Sequence, residues 1–544
     1  MRVAEALGRA LSQLGVRDCF GLVGSGNFHL VNAMRASGIR FVAARHETGA
    51  VTMADAYARA SGRMGVCAVH QGPGVTNALT GLTEAAKSCT PLLLLAAEAT
   101  APLSNFFIDQ KKLAEVAGAV HCRITSPDGA VQDIADAARI AVTKRKTVLV
   151  SLPLEVQASD CQPPEGLVEP ASPPGEPAQA PDIEALARLL AAANRPLILA
   201  GRGAVLSGAR EPLEHLADQS GALLATSAVA NGLFASDPWY LGISGGFASP
   251  LAAELIEASD LIVAFGASLN MWTTRRGRLI GPEAKVVQID TEPTALGAHR
   301  TIDLGLEGDC AATARAVSAA LESRRSTGWR STEIAERIRK GAWRSQPFDD
   351  LSGDGRIDPR TLSIALHGLL PRQRTLAVDS GHFMGWPPMY MDVPDGRAFV
   401  FTQSFMSIGL GLATGIGAAI ARPDRLTVIA LGDGGALMSL PELETLGRLG
   451  SDALVIIYND ASYAAEVHHF APEHAPLDTV RFPDTDFAAL ALSVGLEAGT
   501  VRGLADLEVV RDWLDRDRPR PLLLDAKVVP TNVAEWLEEA FRGH

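Results

Sequence analysis

The chain has 544 residues, of which 47% are hydrophobic and 20% charged, and its formal net charge is −13. That length exceeds one hydrophobic core and predicts about three domains, and the composition excludes a disordered chain. The acidic balance argues against nucleic acid as a partner, and no apolar run is long enough to span a membrane.

In chain order, residues 1–160 predict a first α/β domain. Its opening segment reads as an amphipathic helix and not a signal peptide, with Ala4, Leu7, Leu11 and Leu14 on one face, so a cytoplasmic location is expected. Short apolar runs predict strands at Asp18–Val23, Phe41–Ala44, Gly65–Val69, Pro91–Ala97 and Leu149–Leu152. The first three end in turns that carry chemistry: Gly24-Ser25-Gly26-Asn27, Arg45-His46-Glu47 and His70-Gln71-Gly72-Pro73-Gly74. Helical segments alternate with these strands, which predicts a parallel sheet.

Residues 161–181, CQPPEGLVEPASPPGEPAQAP, form a Pro-rich linker. Residues 182–321 predict a second α/β domain, with strands at Pro196–Ala200, Ala222–Thr226, Leu261–Phe265 and Val286–Ile289. Residues 322–357 read as a connector. Residues 358–544 predict a third domain, with strands at Leu376–Asp379, Phe399–Thr402, Leu426–Leu431, Ala453–Tyr458 and Pro521–Lys527. The expected fold class is therefore α/β, with three doubly wound parallel-sheet domains. The six cysteines show no CxxC spacing and read as buried free thiols.

The densest signal is the stretch from Leu426 to Glu466. Gly432-Asp433-Gly434-Gly435 lets the backbone turn sharply and approach a ligand. Leu437, Leu440, Leu443 and Leu446 continue at helical spacing, and the next strand ends at Asn459-Asp460. A right-handed crossover puts both strands side by side or nearly so. Asp433 and Asp460 then lie at carboxyl ends of strands, where open α/β sheets bind ligands. Two carboxylates and a turn carbonyl suit a divalent cation carrying a diphosphate. The helix start after Gly434 offers N–H groups to the anion.

This pattern resembles the fingerprint of the thiamine diphosphate-dependent enzymes of the acetolactate synthase, pyruvate decarboxylase and benzaldehyde lyase group, GDG followed by NN after the next strand. The resemblance covers nearly the whole chain. It implies a pyrimidine-binding, a central and a diphosphate-binding domain, with thiamine diphosphate and Mg²⁺ as cofactors. The metal ligands would be Asp433, Asp460 (where the family has a second Asn) and the carbonyl of Ser462. Gly432, Gly434, Gly435, Tyr463 and His382 would surround the diphosphate. Ile408 would be the wedge that bends the cofactor, beside Met406, where the family usually has Gly. Glu47 matches the family's activating Glu, and a partner subunit would bring it to the site, so an obligate homodimer or a homotetramer is implied.

Ser25, Gly26, Asn27, His29, His70, Gln71 and Glu466 are the candidates near the substrate. His70 and Glu466 are candidate proton shuttles; His468 and His469 read instead as a solvated pair. The implied reaction is decarboxylation of a 2-oxo acid with carboligation to an aldehyde or keto acid, as in acetolactate synthases. Acyloin cleavage or ligation of the benzaldehyde lyase kind and simple decarboxylation are alternatives, and a non-catalytic binding subunit is a remote one. Acetolactate synthases bind FAD in the central domain. Gly201-Arg202-Gly203, Gly266-Ala267-Ser268 and Ile289-Asp290 loosely follow those segments, with Ser268 where an Arg is usual. An FAD site and an empty or nucleotide-binding domain fit the sequence equally.

Overall fold

A computed structural model describes residues 1–321 and 328–537. Residues 322–327 of the connector and 538–544 of the third domain lie outside the described residues. Alternating strands and helices build three six-stranded sheets in which the paired strands run parallel. The first sheet has the spatial order Arg40–Ala43, Asp18–Gly21, Gly65–Val69, Leu92–Glu98, Thr147–Pro153, Val120–Arg123. The third repeats that order of connection, as Phe399–Phe401, Arg374–Val378, Leu426–Gly432, Ala453–Asn459, Leu522–Lys527, Glu497–Val501. The middle sheet differs, running Leu304–Glu307, Lys285–Asp290, Leu261–Phe265, Pro196–Ala200, Leu223–Thr226, Tyr240–Ile243. Counted from its own first strand, this is the dinucleotide-type order, with its switch point between Pro196–Ala200 and Leu261–Phe265.

Central strands are buried on both faces, which is why they read as unbroken apolar runs. The helical spacing from Leu437 to Leu446 is divided in two, Asp433–Met438 and Glu442–Leu449. Pro441 has no N–H to continue the first helix. All six cysteines are free; Cys19, Cys67 and Cys310 are buried, whereas Cys89 is exposed. Among the described residues no helix is long and apolar enough to cross a membrane.

The first and third domains share one core, with Phe20, Met53, Leu412, Ile416, Leu431 and Leu443 packed together. Helix Glu47–Ser61 lies directly on helix Gly411–Ala421. A Cβ on Gly417 would stand 2.2 Å from the Met53 carbonyl oxygen, so only glycine permits this approach. Glu442 then accepts the backbone N–H groups of Arg45 and His46, each at 3.0 Å. The third domain thus fixes the start of the helix that carries Glu47. An arginine pair completes the domain ties. Arg59 bridges Asp55 and Glu84, and Glu84 accepts the N–H groups of Ser404 and Phe405. Arg202 of the middle domain reaches the Ser88 carbonyl and the Thr90 hydroxyl.

Candidate active site

Strand Leu426–Gly432 pairs in parallel with Ala453–Asn459, Gly432 opposite Tyr458. Asp433 and Asp460 therefore emerge side by side at the carboxyl edge of the third sheet. Both line a cavity of about 570 Å³, with Gly432, Gly434, Gly435, Ser462, Tyr463 and Glu466. His382, Met406 and Ile408 line it as well.

Each position follows from local structure. Ala461 adopts a positive φ of 61°, and the amide and hydroxyl of Ser462 both donate to Asp460 Oδ1, at 3.1 and 2.9 Å. The turn therefore aims Asp460 by its own backbone. Asn459, the other half of the pair, points away from the cavity. Its amide donates to Asp525 Oδ1 at 2.9 Å, in a group in which the buried Asp525 and Lys527 meet the exposed Asp484. A side chain on Gly434 would collide with the Tyr463 ring, 2.4 Å from the ideal Cβ, so Gly434 is what admits Tyr463.

Burial, and then the charge of Asp460, pushes the Asp433 carboxyl up, and burial likewise raises Asp460 against the bonds from Ser462 and the charge of Arg356. Two adjacent carboxyls, both raised by burial and one also by the charge of the other, fit a seat for a divalent cation. Among the described residues no group of three or more His, Cys, Asp or Glu is arranged for a metal. A cation here would complete its shell from carbonyl, phosphate and water oxygens, as Mg²⁺ does.

Further residues support or line the cavity. Asp379 is fully buried and accepts the N–H groups of Ser380, Gly409 and Leu410, at 2.8, 3.0 and 3.2 Å. It thereby anchors the loop that presents Met406 and Ile408. Burial raises its pKa to about 6 against those amides. Its place at the end of the predicted strand Leu376–Asp379, three residues before His382, was a usable signal. Trp272 comes from the middle domain, and Trp536 and Leu537 from the last described segment. No local motif announces these three. His382 is buried, and its Nε2 accepts the Ala534 N–H at 2.9 Å, while burial and then His468 lower its pKa to about 3. The neutral ring carries its proton on Nδ1. His468 packs against it with centroids 4.5 Å apart, so it is not on a solvated face.

Met406 stands at φ 60°, in the left-handed region. The residue type usual there in the resembling family, Gly, meets no penalty in that conformation. Met406→Gly is expected to stabilise the chain by about 1 kcal/mol, the cost of one L-residue held left-handed. It should also open the cavity to larger acceptors without weakening cofactor retention. Thermal melts and a substrate series check both halves.

The first-domain candidates gather separately, at the carboxyl ends of strands Arg40–Ala43, Asp18–Gly21 and Gly65–Val69. Glu47 opens its helix, is buried, and accepts a bond from Asn77 Nδ2 at 3.1 Å on Oε2. The sequence reading passed over Asn77. His70 Nδ1 accepts the Gly26 N–H at 3.2 Å, and Phe106 packs edge-on to its ring. Burial lowers the His70 pKa, partly offset by the charge of Glu47. Gln71 is buried, with Oε1 lacking a partner among the described residues. Asn27 is buried too, and its amide holds the turn through the Gly24 N–H and the Leu22 carbonyl. Its side chain is spent on that turn. Ser25 and His29 are exposed.

No residue of the first domain lines the cavity around Asp433. The two groups are held in one chain but do not form one site within it. Each is bordered by exposed apolar side chains, Phe28, Phe106 and Phe107 on one and Phe405, Leu437 and Met438 on the other. In the middle domain, Gly201 and Gly266 close on each other at the switch point, where a Cβ on Gly201 would lie 2.2 Å from the Gly266 oxygen. Arg202 turns from that crevice into the first domain.

Comparison with known proteins identifies the family. The N-terminal TPP binding domain of thiamine pyrophosphate enzymes matches residues 1–120, their central domain 183–317, and their C-terminal TPP binding domain 379–526. The chain is 28% identical over 521 residues to a probable acetolactate synthase large subunit of Methanocaldococcus jannaschii, covering 92% of this chain and 88% of that protein. It is 26% identical over 533 residues to the acetolactate synthase isozyme 2 large subunit of Escherichia coli, covering 95% and 94%. It is 28% identical over 520 residues to a sulfoacetaldehyde acetyltransferase of Alcaligenes xylosoxydans, covering 86% and 82%.

Proposed function

The chain belongs to the thiamine pyrophosphate enzyme family, in its acetolactate synthase branch, and from that premise we propose that it decarboxylates a 2-oxo acid and joins the remaining acyl unit to an aldehyde or keto acid. The observation that carries this reading is the Asp433–Asp460 pair at adjacent strand ends, facing a cavity of about 570 Å³.

When bound, thiamine diphosphate supplies a nucleophilic carbon and an electron sink. Asp433, Asp460 and the Ser462 carbonyl would hold Mg²⁺ and, through it, the diphosphate. Ile408, braced by Asp379, would hold the cofactor's bend. Glu47, contributed by a partner subunit, would present its carboxyl to the cofactor, with Oε2 fixed by Asn77. A carboxyl fixed in this way suits general acid–base work. His70 and Gln71 would face the substrate from the same side. Trp272, Trp536 and Leu537 exclude water from the far side. The apolar residues around the two half-sites support a homodimer that brings them together.

Glu466 in the cavity favours a second reading, in which a proton is delivered and an aldehyde is released without coupling. One experiment separates the two. The protein is given thiamine diphosphate, Mg²⁺ and a series of 2-oxo acids, with and without aldehydes, and CO₂ and acyloin are measured. CO₂ with matching acyloin is expected. CO₂ without acyloin supports the second reading, and neither product from any 2-oxo acid overturns both.

A further inference from the structure

A second cavity, of about 600 Å³, lies between the middle and third domains. It sits at the amino end of the third sheet, because Arg374, which lines it, is the first residue of strand Arg374–Val378. Asp379 and the first cavity lie at the other end of that strand, roughly 15 Å away at strand rise.

Three arginines, Arg344, Arg372 and Arg374, line this cavity, with His367, Asp392 and Tyr240. Arg344 spends the charge of Asp392 in a two-pronged pair at 2.8 and 2.6 Å. Arg374 is only 1% exposed, yet pairs with no carboxylate among the described residues. Its Nε donates to the Asp392 backbone carbonyl, its Nη2 meets His367 Nδ1 at 2.9 Å, and its Nη1 has no partner among the described residues. Burial, and then the charge of Arg344, holds the His367 pKa down, so the ring is neutral. The walls thus carry three positive charges against one negative. A buried guanidinium without a counter-charge is costly, and an anion is its natural complement.

We propose that this cavity binds the dianionic phosphate of a small phosphate monoester. Guanidinium groups match phosphate oxygens in pairs. The surplus of two positive charges matches a phosphate dianion. The cavity is wider than one phosphate, and Pro388, Met391, Val393 and Pro394 supply an apolar wall for the esterified part.

The test uses the enzyme loaded with thiamine diphosphate and excess Mg²⁺, so that the diphosphate seat is already filled. Glycerol 3-phosphate and inorganic phosphate are titrated separately by calorimetry. Glycerol 3-phosphate is expected to bind with a Kd below about 1 mM. Arg372→Gln, at an exposed position, should weaken that binding at least about tenfold and leave phosphate-free turnover unchanged. Arg374→Gln should abolish it. Binding undiminished in Arg372→Gln, or no heat with either probe on the parent enzyme, overturns the proposal. Inorganic phosphate binding as tightly as the ester overturns the assignment of an ester.

Discussion

Glu47→Gln is expected to lower kcat by about 10²–10⁴-fold, the range of a positioned acid–base group, while the chain stays folded and still retains thiamine diphosphate. The substitution keeps the side chain's shape and leaves an amide oxygen to accept from Asn77 Nδ2. What it removes is the ionisable proton. The half-site geometry adds a sharper expectation. In a dimer whose sites pair Glu47 of one chain with Asp433 of the other, mixed Glu47→Gln and Asp433→Ala chains form one doubly altered site and one intact site. Unfolding and refolding an equal mixture should restore about a quarter of the parental activity, since half the dimers are mixed and each has one good site of two. Restoration of nothing would place both groups in a site made by one chain. Unchanged turnover in Glu47→Gln would remove the proposed mechanism altogether.

How much of this was legible in the sequence depended on burial. Strands in the middle of a sheet are covered on both faces and announce themselves as apolar runs, as Gly65–Val69 and Leu426–Gly432 do. Val120–Arg123, Tyr240–Ile243, Leu304–Glu307 and Glu497–Val501 escaped notice, and all four are sheet edges. Their half-exposed residues carry no continuous apolar signal. The same contrast governs the site. Asp433 and Asp460 were readable because a turn and its strand lie in one short stretch. Trp272, Trp536 and Asn77 reach their places through tertiary packing, which local spacing does not encode. Met406 shows the converse, since its positive φ gives a physical reason for a departure that the sequence presents only as an odd residue.

Asp433→Ala should weaken Mg²⁺-dependent retention of thiamine diphosphate by at least about 10–100-fold, the loss already typical of outer-shell partners of a metal. Asp460→Asn is the subtler experiment, because it keeps an oxygen and removes one charge of a repelling pair. In the metal-free chain both carboxyls lie above their unfolded values. Their contribution to stability is therefore present below the ordinary carboxylate range and is lost as pH rises through the raised values. A bound cation inverts that dependence, since it needs both groups ionised and its binding releases protons. The gap in melting temperature between loaded and metal-free protein should widen from pH 5 to pH 7. Buried imidazoles such as His382 pull the other way in acid, so the comparison is variant against parent at each pH. Asp460→Asn should raise the metal-free melting temperature at pH 7, because each pKa unit of the lost penalty is about 1.4 kcal/mol. It should also weaken Mg²⁺ binding and flatten the pH dependence of the gap. If the metal-free midpoint and the gap both stay at parental values across that range, the two carboxylates do not share a cation, and the diphosphate must be held by other groups.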